Sequence, residues 1–311
     1  MGLIILGSVA FDALETPFGK TDKIVGGSAS YAALAASYLY KEIKILGVVG
    51  EDFGTENLQK FKKRNIDISG LQIKEGEKSF FWSGRYHNDM NTRDTLTTEL
   101  NVLGDFDPIV PDSYQGADFL LLGNLSPHVQ LTTLNRLTRR PSLVVLDTMN
   151  FWMNNSREEL DEVLKKVDVI TINDEEARQL SGEYALVKAA ETIQKMGPKY
   201  VIIKKGEHGA LLFGENQIFV APALPLAEVF DPTGAGDTFA GGFTGYLAHA
   251  HTIDFNSMKA AVIFGSALAS FCVEQFGTNR IERLTKVDIM DRIQQFASLT
   301  SFSFEHGLQF F

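Results

Sequence analysis

The sequence predicts an α/β protein with a mainly parallel central sheet flanked by helices and a small β-sheet lid inserted into it. Three observations carry this expectation. Short, continuously apolar runs recur along the chain, stretches of helical spacing lie between them, and two segments rich in strand signals have no helix of their own. Unbroken apolar runs mean strands covered on both faces, the condition of a parallel sheet between helical layers. A chain of 311 residues with 44% hydrophobic content can bury a large core, and with neither an internal repeat nor a linker, 1–311 reads as one domain.

The apolar runs are residues 3–7, 43–50, 118–123, 143–147, 167–173 and 200–206. Helical spacing occupies 56–64, 157–167, 186–196, 238–249 and the long apolar stretch 258–273. Asp12, the Asn173 segment and residues 204–206 each follow a predicted strand. In an open α/β sheet this gathers them along the edge where ligands bind. The exceptions to the alternation are about 13–25 and 78–103, where 79–86 and 95–103 read as short strands joined by a polar turn. Strands inserted in this way pair outside the main sheet as a discontinuous lid, and a lid excludes water from a reacting phosphate.

The chemistry concentrates in Asp231-Pro-Thr-Gly-Ala-Gly-Asp-Thr-Phe-Ala-Gly-Gly-Phe243, a glycine-rich turn that runs into a helix. Gly234 and Gly236 let successive amides point at one spot, and a helix N-terminus favours an anion there. A carboxylate would repel that anion, so Asp237 makes most sense as a base that takes the proton of an attacking hydroxyl. The plain alternative is that Asp231 and Asp237 cap turns and helix starts.

This segment closely resembles the D-x-T-G-A-G-D signature of the ribokinase-like (PfkB) carbohydrate kinases, a family with a three-layer α/β fold. The resemblance covers nearly the whole chain and implies an ATP-dependent phosphotransferase that acts on a hydroxymethyl group. It makes Asp237 the catalytic base and the backbone of Gly234, Ala235 and Gly236 the anion hole. By the same resemblance Asp231 and Thr233 border a monovalent-cation site of the K⁺ kind, Asp12 holds sugar hydroxyls, and Gly26-Gly27 is the pair against which the sugar lies. Asn173-Asp-Glu-Glu176 resembles the N-x-x-E motif, with Glu176 in the outer shell of Mg²⁺, although Asn and Glu at this spacing also form an ordinary capping box. Lys205, Gly206 and Gly209 match a segment along the ATP phosphates, and Asn279 falls where relatives close over the adenine. Tyr31 stands where many sugar kinases of the family have Asn. With Phe81, Trp82 and Tyr86 it could offer flat faces to a nucleobase, which favours a nucleoside over a simple sugar such as ribose or fructose. Core packing of the same rings is the other reading. The lid could also pair two copies as a homodimer, with burial on its own lid as the alternative.

Several classes are disfavoured. A net charge of -10 argues against nucleic acid, whose binding draws on counterion release. No transmembrane or secretory segment is visible, and the single Cys272 fits a buried thiol in a reducing, cytoplasmic setting. The six histidines form no metal array. A dinucleotide oxidoreductase lacks its glycine cluster after the first strand, where Gly7-Ser-Val-Ala-Phe-Asp12 stands instead. An inactive sensor on the same fold would have little use for Asp237 and Glu176. The Phe-rich stretch 301–311 shows no pattern.

Overall fold

The computed structural model describes residues 2–301, so all of the Phe-rich stretch but Ser301 lies outside the described residues. The first part of the chain forms β1 (Leu3–Leu6), β2 (Ala10–Thr16), β3 (Gly19–Lys20), β4 (Ile24–Gly26), α1 (Ser28–Ala36), β5 (Ile43–Gly50), α2 (Gly54–Lys62) and β6 (Asp67–Lys74). Then come β7 (Phe81–Tyr86), β8 (Arg93–Glu99), β9 (Phe119–Leu122), α3 (Pro127–Arg136), β10 (Leu143–Asp147), α4 (Asn150–Asn155) and α5 (Arg157–Leu164). The C-terminal part holds β11 (Val169–Asn173), α6 (Asp174–Ser181), α7 (Leu186–Met196), β12 (Tyr200–Lys204), β13 (Ala210–Gly214), β14 (Gln217–Ala221), α8 (Ala235–Ala250), α9 (Phe255–Cys272) and α10 (Lys286–Thr300).

Nine strands make the central sheet, in the order β14-β13-β12-β11-β10-β9-β1-β5-β6. From β12 to β6 every pairing is parallel, whereas β13 and β14 add an antiparallel edge. The apolar runs are continuous because both faces are covered. In β1, Leu3 and Ile5 join the core under α1, α8 and α9, while Ile4 and Leu6 join the core on the other face, and all four are 0% exposed. Three sheet strands have no counterpart among the predicted runs. β6 mixes polar and apolar residues on both faces, with Gly70 and Leu71 alone buried, and the β13–β14 hairpin turns on Glu215 and Asn216, both at positive φ, without the glycine that usually advertises such a turn.

A second sheet of five strands, ordered β3-β2-β7-β8 with β4 beside β2, sits over one end of the first. It corresponds to the segments expected as a lid, with two differences. Its strand β2 begins at Ala10, so Asp12 lies inside a lid strand opposite Trp82 and Ile24 rather than in a loop after β1. Residues 101–103, expected as strand, form a single 3-10 turn.

Small residues set the helix layer beneath the site. A Cβ on Gly241 would meet Ala32 O of α1 at 2.2 Å, and one on Gly242 would meet Leu268 Cδ1 of α9 at 2.8 Å. The glycines of α8 therefore let α1 and α9 approach its backbone closely, and this places the N-termini of α1 and α8 side by side. By length and composition α9 could cross a bilayer, but it packs along α8 with 56% of its length buried, as a core helix does.

Candidate active site

The cleft between the two sheets is a cavity of about 980 Å³ whose wall includes Asp12, Gly27, Tyr31, Gly234 and Asp237. Residues from both ends of the chain, far apart in sequence, thus share one chamber. Gly234 caps α8 at φ 75° and supplies no capping side chain, so the first turn of the helix faces the cleft with its amides uncapped by any side chain. The Ala235 amide is in part occupied, donating to Pro232 O at 3.2 Å. Asp237 is half-buried in that first turn. Burial pushes its carboxyl up to about 7, the charge of Asp147 pushes the same way, and Lys204 and Arg93 oppose.

Tyr31 lies directly beneath this turn. A Cβ on Gly234 would stand 2.5 Å from three atoms of its ring, and the ring is 1% exposed. This corrects the expectation of a flat face for a nucleobase: the ring is closed off by the glycine turn. Its hydroxyl has no hydrogen-bond partner among the described residues, and burial together with Asp231 and Asp12 holds its pKa well above the usual value.

Asp12 is 4% exposed, and its carboxyl rests on Gly26, where a Cβ would fall 1.9 Å from Oδ2. Burial, then Asp231 and Asp237, pushes it up to about 8. Gly27 starts α1 at φ 93°, and a Cβ there would meet Ser8 O at 2.4 Å. The pair is thus required by what it touches. Ser8 and Ser28 exchange hydrogen bonds across it, each amide donating to the other's hydroxyl at 3.1 and 3.0 Å.

On the opposite side Asn173 and Glu176 form a complete capping box, with both hydrogen bonds at 2.8 Å. Glu176 is nonetheless pushed up to about 7 by burial, against the pull of Lys204. The ammonium at the turn belongs to Lys204. It pairs with Asp147 Oδ1 at 2.9 Å, and a Cβ on Gly236 would lie 3.1 Å from its Nζ. Burial lowers its pKa, but Asp147 and Glu176 outweigh that and raise it. The sequence reading placed Lys205 along the phosphates; its amide closes the turn onto Gly209 O at 2.7 Å. Gly206 sits near the lid, 3.3 Å from Asn91 Oδ1 to its would-be Cβ, whereas Gly209 is buried against Ala221 O of β14.

Asp231 is 0% exposed and accepts from the amides of Thr233 at 2.9 Å and Gly277 at 2.8 Å. It ties the glycine turn to the segment after α9. Asn279 in that segment is exposed, bonds to Phe276 O at 2.9 Å, and is not among the residues that wall the cleft. Thr233 donates to Tyr86 of the lid at 3.1 Å. Strand alternation points Phe80, Trp82 and Tyr86 into the cavity and Phe81 to the other face, against the main core, which corrects its assignment to the substrate side.

Sequence reasoning had Lys204 within the segment matched to the phosphates but chose Lys205 of the two lysines, and it did not single out Asp147 or the far wall of the cavity, formed by Phe106, Met149, Phe151 and Trp152. Asp147 closes an apolar strand and was legible only as a strand end. The far wall comes from loops whose meeting depends on the fold.

A parallel α/β sheet, a helix N-terminus open to a cleft and a carboxylate beside it define a phosphotransferase of ribokinase-like fold. Residues 11–284 match the pfkB family carbohydrate kinases, and the chain belongs to that family. It is an ATP-dependent sugar or nucleoside kinase. It is 32% identical over 247 residues to a cytidine kinase of Thermococcus kodakarensis, covering 78% of this chain and 87% of the relative. A nucleoside kinase of Methanothermobacter thermautotrophicus is 24% identical over 306 residues, 89% and 90% of the two chains. Among solved structures, the nucleoside kinase of Methanocaldococcus jannaschii superposes with a TM-score of 0.75 at 22% identity, covering 95% of this chain and 99% of that one. The ribokinase of Giardia lamblia does so with 0.79 at 19%, over 95% and 99%.

Proposed function

We propose that this kinase phosphorylates the hydroxymethyl group of a nucleoside. One observation carries the choice: the cavity that holds Asp12 and Asp237 is about 980 Å³ and also includes Phe80, Phe106 and Trp152 in its wall. A pentose fills a small part of that volume, while a base attached to it would meet apolar and aromatic surface. The resemblance to a cytidine kinase supports the same reading.

In this reading Asp12 orients the ribose hydroxyls and Asp237 takes the proton of the attacking hydroxyl. The acceptor oxygen bonds to the γ-phosphorus as the bond from that phosphorus to the bridging oxygen breaks. The amides that open α8 and the Lys204 ammonium receive the charge of the transferred group. Among the described residues no cluster of three or more His, Cys, Asp or Glu could cage a metal ion. This donor set fits Mg²⁺ carried on phosphates, with Glu176 reaching it through water, and the ion would neutralise phosphate charge. Asp231 is fully buried with two amide donors and, among the described residues, no ion pair, a setting that a K⁺-like cation would offset. We take 1–311 as one domain with its lid at about 13–25 and 78–103. Edge strand β8 is exposed along all seven residues and supports a homodimer through the lid.

The deciding measurement is a coupled assay with Mg-ATP over cytidine, adenosine, ribose, fructose and a phosphorylated sugar. We expect kcat/KM for the best nucleoside to exceed that for ribose by at least about tenfold, as loss of base contacts implies. A preference for a bare or phosphorylated sugar would overturn the nucleoside assignment. Asp237→Asn should cut turnover at least about a hundredfold with nucleotide binding largely intact.

A further inference from the structure

We infer that Asn124 is a specificity-determining residue: its side-chain N–H reads the hydrogen-bond acceptor that a nucleobase carries beside its glycosidic bond, the 2-keto oxygen of a pyrimidine or the ring nitrogen N3 of a purine. The inference deepens the nucleoside reading above and rests on it. From β1 the chain runs to β5 and β6 on one side of the sheet, and only afterwards enters β9 and the strands on the other side. The loops after β1 and β9 therefore leave in opposite directions, and an open α/β sheet binds its ligands in the crevice so formed. Leu6 pairs with Leu122 at the ends of these strands, and just beyond them Ser8 and Asn124 both stand in the wall of the cavity. Sugar side and base side meet here. A Cβ on Gly123 would lie 3.0 Å from Ser28 Oγ, beside the Gly27 that opens α1, while Asn124 bonds to Met149 and Trp152 of the far wall.

The orientation of the Asn124 amide follows from its partners. Trp152 Nε1 donates to Asn124 Oδ1 at 2.9 Å, and an indole nitrogen is a donor only, so the oxygen is occupied and Nδ2 is turned the other way. Nδ2 has Met149 Sδ at 3.1 Å, a weak acceptor that can take one of its two hydrogens. Among the described residues the second hydrogen has no acceptor. Neighbouring polar groups are engaged: Asp107 is paired with Arg136 at 2.7 Å, and Ser126 Oγ accepts from the Val129 amide at 3.3 Å as the cap of α3. In an otherwise apolar wall of Phe106, Met149, Phe151 and Trp152, a fixed donor next to the sugar selects a base that places an acceptor there. A C–H or an amine in that position would leave the N–H unmatched.

The test is a cycle over protein and ligand. Cytidine is set against 2-thiocytidine, whose sulfur is a poor acceptor, and adenosine against 3-deazaadenosine, which carries C–H in place of N3, in the parent, Asn124→Leu and Asn124→Asp. In the parent at least one analogue should lose about tenfold or more in kcat/KM relative to its nucleoside. In Asn124→Leu that loss should shrink to within about twofold, because nothing is left to read the acceptor. Asn124→Asp keeps the bond from Trp152 but replaces the donor by an acceptor; it should lower kcat/KM for the natural nucleoside about tenfold or more, chiefly through KM, and bring down the ratio of nucleoside to ribose. Trp152→Phe removes the indole N–H, so the amide can turn over and the analogue loss should fall to a few-fold. A loss coupled to Asn124 with 2-thiocytidine assigns the contact to a pyrimidine, and one with 3-deazaadenosine to a purine. Equal analogue losses in the parent and Asn124→Leu, or none in the parent, would overturn the inference. If nucleosides still outrun ribose in that event, the nucleoside reading stands and this one alone falls; ribose preferred over every nucleoside in the parent sinks the nucleoside reading first.

Discussion

Asp12, Asp231 and Asp237 all raise the pKa of one buried phenol, Tyr31, so three carboxyls share a small apolar volume. Such groups resist ionisation, and the consequence has a definite sign. As the proposed base Asp237 must be ionised, and its carboxyl is pushed up to about 7. The acid limb of kcat/KM should therefore fall about tenfold per pH unit below about 7, read from rates at saturating ATP. Because Asp12 and Asp237 interact, the limb reports the group rather than either residue. Stability should respond in the opposite sense. Asp12 titrates near 3.8 in an unfolded chain and near 8 in the fold, so between those values the folded state holds the extra proton and stability drops as pH rises. Asp12→Asn removes that loss. We expect the variant to unfold at higher denaturant than the parent at pH 8, by about 1–3 kcal/mol, and to match it near pH 4 while no longer binding acceptor well. Gly234→Ala should do the reverse. It forces a side chain into left-handed backbone and onto the Tyr31 ring, a combination that costs about 2–5 kcal/mol, visible as a lowered Tm.

At the scale of elements the lid is fastened by a few polar bonds. Asp52 Oδ1 accepts from the Ser79 amide and hydroxyl, both at 2.7 Å, its Oδ2 pairs with Lys23 at 2.7 Å, and Ser79 Oγ accepts from Gly50 at 3.0 Å. One carboxylate thus joins the end of β5 to the start of β7 and to the strand loop before β4. Asp52→Ala leaves those donors unmatched, at a cost of about 1–3 kcal/mol, and should raise KM and lower kcat together while exposing the 87–92 turn to limited proteolysis. Protection equal to the parent would show that the lid is held elsewhere. The central parallel strands were legible because burial on both faces writes itself as an unbroken apolar run, as in β1 and β10. Edge strands carry no such mark: β6 is half polar and β14 mostly exposed, so their pairing is set by neighbours rather than by their own residues. The glycine turn, Asp12 and Gly26-Gly27 could be read because each needs a particular residue type. Lys204 could not be told from Lys205, since which of two adjacent lysines faces the cleft depends on where β12 ends.

Across the whole molecule the proposed donor and acceptor sides are built from different parts of the chain and meet through the lid. Asp12, Gly27 and Trp82 belong to the N-terminal strands and lid, while Glu176 follows β11, Lys204 ends β12 and the α8 turn lies further on in the C-terminal part. Among the contacts that cross between them are the Thr233–Tyr86 hydrogen bond, the Phe18–Phe230 ring pair with centroids 4.9 Å apart, and the approach of Asn91 to Gly206. A ligand on either side that draws the lid down preorganises the other side, and the coupling must be reciprocal. Alone, a ligand at about a hundred times its Kd stabilises by about 2.7 kcal/mol. For a protein of this size that raises Tm by roughly 4 °C. With Mg-ADP and nucleoside together we expect a shift larger than the sum of the separate shifts, with each Kd lowered about fivefold or more by the other ligand in calorimetry. Tyr86→Phe removes the acceptor of the Thr233 bond without emptying the ring's place, so it should bring the combined shift down toward additivity while leaving each single-ligand shift nearly unchanged. Strict additivity in the parent protein would mean that the lid closes over each half independently, and the tie between Tyr86 and the glycine turn would then serve only to position Thr233.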